Sequence, residues 1–232
     1  MDLFTGSTEL MAVKKRFSRP PMATNPKGRK WRRSFQPRSN GTNRCEAPLL
    51  TVHKTFNDLL DIMASKLNIR KETAADIEAI SAVTAAAFKD HPISKQTEPF
   101  IIRALRAAGA LTLSLVAEID GRVVGHVAFS PVTISDGTGA WYGLGPVSVL
   151  QDLQKQGIGK ALINEGLSRL KTMGAQGCAL IGDPDYYRRF GFRNYPEMVY
   201  EGIPQKFFQA LPFIDEVPQG IVGFHDGFQA TS

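Results

Sequence analysis

An apolar run at 178–181 follows a helix-patterned segment at 160–173, which itself follows a β-patterned run at 141–150. This order constrains the fold more than any other feature of the chain. Two strands of one sheet joined by a helix lie parallel, because the helix carries the chain back to the edge where the first strand began. Cys178-Ala-Leu-Ile181 is wholly apolar and so fits a strand covered on both faces. The chain before it is patterned for hairpins. Residues 112–119 form a β run, Asp120-Gly121 a two-residue turn, and 122–134 the return strand, with Gly125 marking a bulge. Asp136-Gly-Thr-Gly139 then turns the chain into 141–150.

Further upstream, 67–70 reads as a short strand. Thr73 with Asp76 three residues on forms a capping box for a helix with Ile77, Ile80, Val83 and Phe88 along one side. His91-Pro92 ends that helix, Thr97-Glu98-Pro99 opens a second, and Gly109 closes it. Downstream come a short helix at 184–190, a strand at 192–195 and more strand after Phe213. The order β-α-α-β-β-β-α-β-α-β predicts a mixed α/β fold, an antiparallel meander carrying one parallel pair. There is no internal repeat.

Charge divides the 232 residues unevenly. Residues 1–66 hold 13 Lys and Arg against 5 Asp and Glu, whereas 67–232 hold 15 against 17. The net charge of +6 therefore belongs to the first segment and is no sign that the folded part binds nucleic acid. Residues 1–66 lack a sustained hydrophobic period, and prolines surround Lys27-Gly-Arg-Lys-Trp-Arg-Arg33. We expect a basic, mostly disordered extension, with a weak helical pattern at 56–63, ahead of a single domain at 67–232. Such an arm suits nucleic acid or an anionic surface. Asp2 and Glu9 argue against an organelle presequence, and Met63 offers an alternative start. No apolar stretch is long enough to span a membrane. Cys45 and Cys178 make neither a disulfide framework nor a Cys-x-x-Cys metal site, so the expected setting is cytoplasmic.

The chemistry concentrates in Val147-Ser-Val-Leu-Gln-Asp-Leu-Gln-Lys-Gln-Gly-Ile-Gly-Lys-Ala-Leu162, where a strand runs through a glycine-containing loop into a helix. Unpaired N–H groups at a helix start, backed by the helix dipole, form an anion cradle, and Gly157 and Gly159 let a phosphate approach closely. It is not a Walker A loop, because Gln154 stands at the first glycine position and Ala161 follows Lys160. Nor is it a dinucleotide fingerprint, because Leu162 replaces the third glycine.

Gln154-Lys-Gln-Gly157-Ile-Gly159 resembles the Gln/Arg-x-x-Gly-x-Gly/Ala signature of the GNAT superfamily of acetyl-CoA-dependent N-acetyltransferases. Val147-Ser148-Val149 is similar to the end of that family's preceding strand, Gly121–His126 to its third strand, and Tyr187-Arg-Arg-Phe-Gly191-Phe192 to its Tyr-x-x-x-Gly-Phe motif. Gly182-Asp-Pro-Asp-Tyr-Tyr-Arg-Arg-Phe-Gly-Phe192 resembles the YhbS-like branch.

The resemblance implies the GNAT fold: a central, mostly antiparallel mixed sheet with one splayed parallel pair and helices on both faces. It implies that amides of Gln154, Lys155, Gln156, Gly157, Ile158, Gly159 and Lys160 bind the coenzyme pyrophosphate. Val147 and Val149 would hydrogen-bond the pantetheine arm, an amide near Val149 would hold the oxyanion, and Tyr187 would protonate the leaving sulfur. No metal is implied. The acceptor is an amine of a small molecule, peptide or protein, and family members are often dimers.

The base stays open among His126, Glu118, Asp183, Glu98 and His91, with a water relay as the default. His126 and Cys178 read as core residues. The phenylalanine-rich segment after Pro196 suits a hydrophobic wall. Two competing readings are a module that holds acyl-CoA without turnover and a domain tethered to nucleic acid by its basic arm.

Overall fold

The computed structural model describes residues 67–90 and 94–232. The expectations for residues 1–66, for the 66/67 boundary and for His91-Pro92 lie outside the described residues. The elements are β1 (Leu67–Lys71), a 3₁₀ turn (Ala74–Asp76) leading into α1 (Ile77–Phe88), α2 (Glu98–Ala107), β2 (Leu113–Ile119), β3 (Arg122–Ile134) and β4 (Trp141–Val149). Then follow α3 (Ile158–Thr172), β5 (Gly177–Ile181), α4 (Pro184–Tyr187) extended by a 3₁₀ turn (Arg188–Phe190), β6 (Met198–Val199), β7 (Phe208–Pro212), β8 (Gly220–Phe224) and a final 3₁₀ turn (Asp226–Gln229). The sheet order is β1-β2-β3-β4-β5-β7, with β8 beside the end of β3 and β6 beside β8.

The meander and the parallel pair are as expected. β1 to β4 pair antiparallel, and β5 runs parallel to β4. The two-residue pairing of β6 with β8 is also parallel. Two sequence expectations need correction. Residues 192–195 form no strand: Arg193 makes a single bridge to Ala210. Left-handed Gly191 precedes this segment and Pro196 follows it, and the Asn194 amide is spent on the carbonyls of Gln205 and Phe208. The strand beside β5 is instead β7, in the phenylalanine-rich segment after Pro196 and just ahead of the further strand expected after Phe213. The bulge predicted at Gly125 falls one residue earlier, since Ala117 pairs Gly125 while Glu118 pairs Val123. Gly125 has a different reason to lack a side chain. A Cβ there would stand 3.1 Å from Leu162 of α3 and 3.1 Å from the Ser148 carbonyl.

Both sheet faces are covered. Ile158, Leu162, Ile163, Leu167 and Leu170 of α3 pack with Leu115, Ala117, Val127 and Phe129. Ile80 and Val83 of α1 and Ile102 of α2 pack with Val116 and Val123 on the other face. Alternation along β2 separates Leu115 and Ala117 from Val116, which places the helices on opposite faces. Among the described residues no helix is long and apolar enough to cross a membrane.

Two polar clusters fix the β1 end of the sheet. Asp76 accepts from the Thr73 N–H (2.7 Å) and from Arg70 (2.7 Å), while Arg70 also reaches Glu118 on β2 (2.7 Å). Arg70, with help from Thr73, holds the Asp76 carboxyl well below the usual carboxylate range despite its burial. The second cluster is deeper. Arg106 of α2 makes a two-pronged contact with Glu72, both bonds at 2.9 Å. The Ser114 hydroxyl donates its proton to Glu72, so toward His126 Nε2, 2.7 Å away, it can only accept. Neutral His126 therefore carries its proton on Nε2 and leaves Nδ1 as a buried acceptor without a partner among the described residues.

Burial alone would raise the Glu72 carboxyl. His126, Arg106 and Ser114 outweigh it and hold Glu72 at about 2. Burial also pushes the His126 imidazole below its ordinary 6.5, which Glu72 only partly offsets. The unfolded chain thus binds protons at both residues more readily than the folded one, and stability falls with falling pH. The thermal midpoint should decline as the pH falls through the ordinary histidine range, and again from about 4.5 toward about 2, where Glu72 gains its proton in the unfolded chain before the folded one. Glu72→Gln should remove the lower part of this decline, measured by thermal unfolding at a series of pH values.

Candidate active site

The site is built on a break in strand pairing. β4 pairs with β5 only through Trp141↔Gly177, Tyr142↔Cys178 and Gly143↔Ala179. Beyond that point β4 carries an extra residue against β3: Phe129 pairs Leu144, but Val127 pairs Val147. An extra residue bends a strand. β4 leaves β5 there, and a slot opens between Val147–Val149 and the end of β5.

The peptide groups along this stretch can be oriented from the ladder. The Leu150 N–H donates to Val124 (3.0 Å), and antiparallel bonding alternates, so Ser148 turns its peptide groups to β3. Val147 and Val149 turn theirs outward, toward the slot. The Gln154 side-chain amide confirms this direction by donating to the Val149 carbonyl at 3.1 Å. The Val149 N–H and both peptide groups of Val147 are left on an open strand edge.

The loop from Val149 to α3 adds further donors. Gln154 spends its own N–H on Gln151 (3.3 Å), closing a 3₁₀ turn. Lys155 and Gly157 adopt left-handed conformations, with φ of 63° and 90°. Two such residues so close together reverse the chain sharply, and glycine bears this geometry without strain. Ile158 is buried and anchors the first turn of α3 in the core. No acceptor among the described residues takes the N–H groups of 155–160, and the first bond of the helix is Ala161 to Gly157. The Gln156 side chain ties back to Asp152, and Lys155 and Lys160 are exposed. The helix begins at Ile158, two residues before the expected start, so Gly159 lies within the first turn. A Cβ on Gly159 would stand 3.3 Å from the Tyr186 hydroxyl oxygen.

Tyr187 follows the other wall of the slot. Its ring lies over Gly182, the residue after β5, where any side chain would collide with it. It packs edge-on against Phe192, with centroids 6.0 Å apart. Burial pushes its phenol well above the ordinary value, and Tyr186, Cys178 and Asp183 add to the shift. Burial likewise raises the Cys178 thiol, which stays protonated in the core.

The proposed bases are scattered. His126 is enclosed, with Ser148 opposite it and Ser148 bonded to Thr84 of α1 (3.1 Å). Glu118 is held by Arg70, and Glu98 accepts from Ser94 (2.6 Å). Asp183 stands just past β5 and caps α4 through the Asp185 N–H (3.0 Å). His91 is outside the described residues. Tyr186 is the residue whose placement the sequence did not disclose. It read as a packing companion of Tyr187, yet its hydroxyl lies at the start of α3.

Residues 80–192 match the acetyltransferase (GNAT) family. Over 125 residues the chain is 38% identical to the uncharacterized N-acetyltransferase YhbS of Escherichia coli K12, covering 53% of this chain and 72% of YhbS. Two solved structures are similar. One is a GNAT family acetyltransferase from Brucella melitensis in complex with acetyl-CoA, 52% identical, covering 70% of this chain and 97% of that one, with a TM-score of 0.63. The other is YhbS from Escherichia coli in complex with CoA, 31% identical, covering 72% and 94%, with a TM-score of 0.66. The relatives are aligned over most of their own length, and this chain belongs to the GNAT family of N-acetyltransferases.

Proposed function

We propose that residues 67–232 transfer the acetyl group of acetyl-CoA to an amine by direct attack, with Tyr187 serving the leaving sulfur. The carrying observation is two sets of unspent backbone donors at either end of one loop: the outward N–H groups of Val147 and Val149, and the N–H groups of 155–160. An extended pantetheine arm can add to the strand edge as an extra strand would, with its pyrophosphate ending at the start of α3. The Brucella relative, 52% identical, was crystallised with acetyl-CoA, which supports the same ligand here.

Within that arrangement the thioester lies in the slot. A neutral amine attacks its carbonyl carbon, and the Val149 N–H donates to the oxygen as it gains charge. The C–S bond then breaks and the thiolate is released beside Tyr187. A phenol above its ordinary value of about 10 is a weaker acid than a thiol near 8.5. Tyr187 therefore acts first as a hydrogen-bond donor to the sulfur. The proton that completes the thiol is replaced from the adduct's ammonium group, a much stronger acid, through water. No described carboxylate or imidazole needs to serve as the base.

Two variants test this. Gly159→Glu places bulk and negative charge against the first turn of α3, where a Cβ alone would press on the Tyr186 hydroxyl at 3.3 Å. Calorimetric titration of the full chain with acetyl-CoA should show binding in the wild type and none in the variant; an unchanged Kd removes the loop assignment. Tyr187→Phe should lower kcat by about a hundredfold and leave the acetyl-CoA KM nearly unchanged, read by thiol release with an accepted amine. Full turnover in that variant would remove Tyr187 from the chemistry at the sulfur.

A further inference from the structure

The short helix that presents Tyr187 presents a second ring that the chemistry leaves unused. Successive residues on a helix point about 100° apart, so Tyr186 and Tyr187 cannot face the same way. Their rings stand at 86° to each other. Tyr187 turns in over Gly182, while the Tyr186 hydroxyl reaches the first turn of α3, 3.3 Å from where a Cβ on Gly159 would stand.

Tyr186 does not stand alone. The Arg189 guanidinium carbon lies 4.7 Å from the centre of its ring, and Arg189 Nε donates to the Tyr186 carbonyl at 2.9 Å. The ring contact and the Nε bond hold the guanidinium over the ring, and among the described residues no acceptor takes its two terminal nitrogens. Among the described residues no carboxylate pairs with Arg189, whereas its neighbour Arg188 is taken by Asp185 at 3.2 Å. A stacked, exposed cation without an anion, attached to a ring at the mouth of a row of free amides, suits a phosphate. The planar fork of arginine matches phosphate oxygens in a way that a lysine point charge does not.

We infer that Arg189, held flat on Tyr186, binds a phosphate group of the coenzyme beside the start of α3, and that Tyr186 is its positioning residue. This rests on the coenzyme reading above. Coenzyme A offers two such groups, the pyrophosphate and the 3′-phosphate, which share the same chemistry. Ring and cation act as one unit: the ring sets the plane, and the cation makes the contact.

The test is calorimetric titration of the full chain with CoA and with 3′-dephospho-CoA. Arg189→Gln should weaken CoA binding by about tenfold, a typical loss for one charge-assisted bond at a partly exposed site, and should reduce its salt dependence. Tyr186→Leu should weaken it comparably, and the double variant should be no worse than either single one. Tyr186→Phe keeps the platform and should lose less. In turnover assays Arg189→Gln should raise the acetyl-CoA KM and spare kcat, which a general loss of folding would not do. If the loss also appears with 3′-dephospho-CoA, the contact is to the pyrophosphate; if it is confined to CoA, the contact is to the 3′-phosphate. Either result supports the inference. Unchanged CoA affinity in Arg189→Gln overturns it while leaving the coenzyme site standing. A wild-type chain that binds neither ligand overturns the coenzyme reading and this inference with it.

Discussion

Three residues of parallel pairing between β4 and β5, followed by none, set up everything else in this protein. A sheet that kept its ladder to the strand ends would bury every peptide group of Val147–Val149 and leave no room for a ligand. The extra residue in β4 against β3 bends the strand at the point where pairing with β5 stops. The result is an unusual local state: a strand in the middle of a sheet that has an edge. Unpaired strand edges normally invite aggregation. Here α3 and the short helix after β5 flank the exposed edge, leaving it open to a slender ligand.

That opening is affordable because the rest of the sheet is tied down on both faces. The α3 leucines and isoleucines lock one face through Phe129, Leu115 and Cys178. On the other face, α1 and α2 are fastened by polar groups as well as by packing. Glu72 joins α2, β2 and β3 through Arg106, Ser114 and His126. Thr84 joins α1 to Ser148, the residue between the two valines that face the slot. The orientation of Val147 and Val149 is thereby held from behind by a hydrogen bond that no ligand touches. His126 belongs to this support, and its imidazole orders the core rather than the chemistry.

The segment after β5 then sends adjacent residues to different places. Helical geometry turns Tyr186 toward the start of α3 and Tyr187 in over Gly182. Gly182 must lack a side chain for Tyr187 to lie where it does, and Gly159 leaves space for the Tyr186 hydroxyl. The two glycines and two tyrosines form a matched set, although Gly159 lies 27 positions before Tyr186.

Much of this was legible in the residues themselves. Hydrophobic period, the Asp120-Gly121 turn, the glycine stops and the strand–helix–strand order are local signals, and they foretold the meander and the crossover. The loop glycines and Tyr187 were recognisable because their spacing reflects the backbone geometry they serve. Other features depend on which distant segments meet. β7 takes the second edge of β5 and Arg193 then bridges to β7, and neither short run advertises that order. The tautomer of His126 follows from a carboxylate 54 positions away in sequence donating nothing and a serine donating to it. The place of Tyr186 at the start of α3 follows from how β5 and its helix dock beside β4. The sequence by itself determined the meander, the crossover and the glycine-containing loop that leads into α3. Only the tertiary structure decided where β4 and β5 part, because a break in pairing is a property of two strands and is written in neither alone.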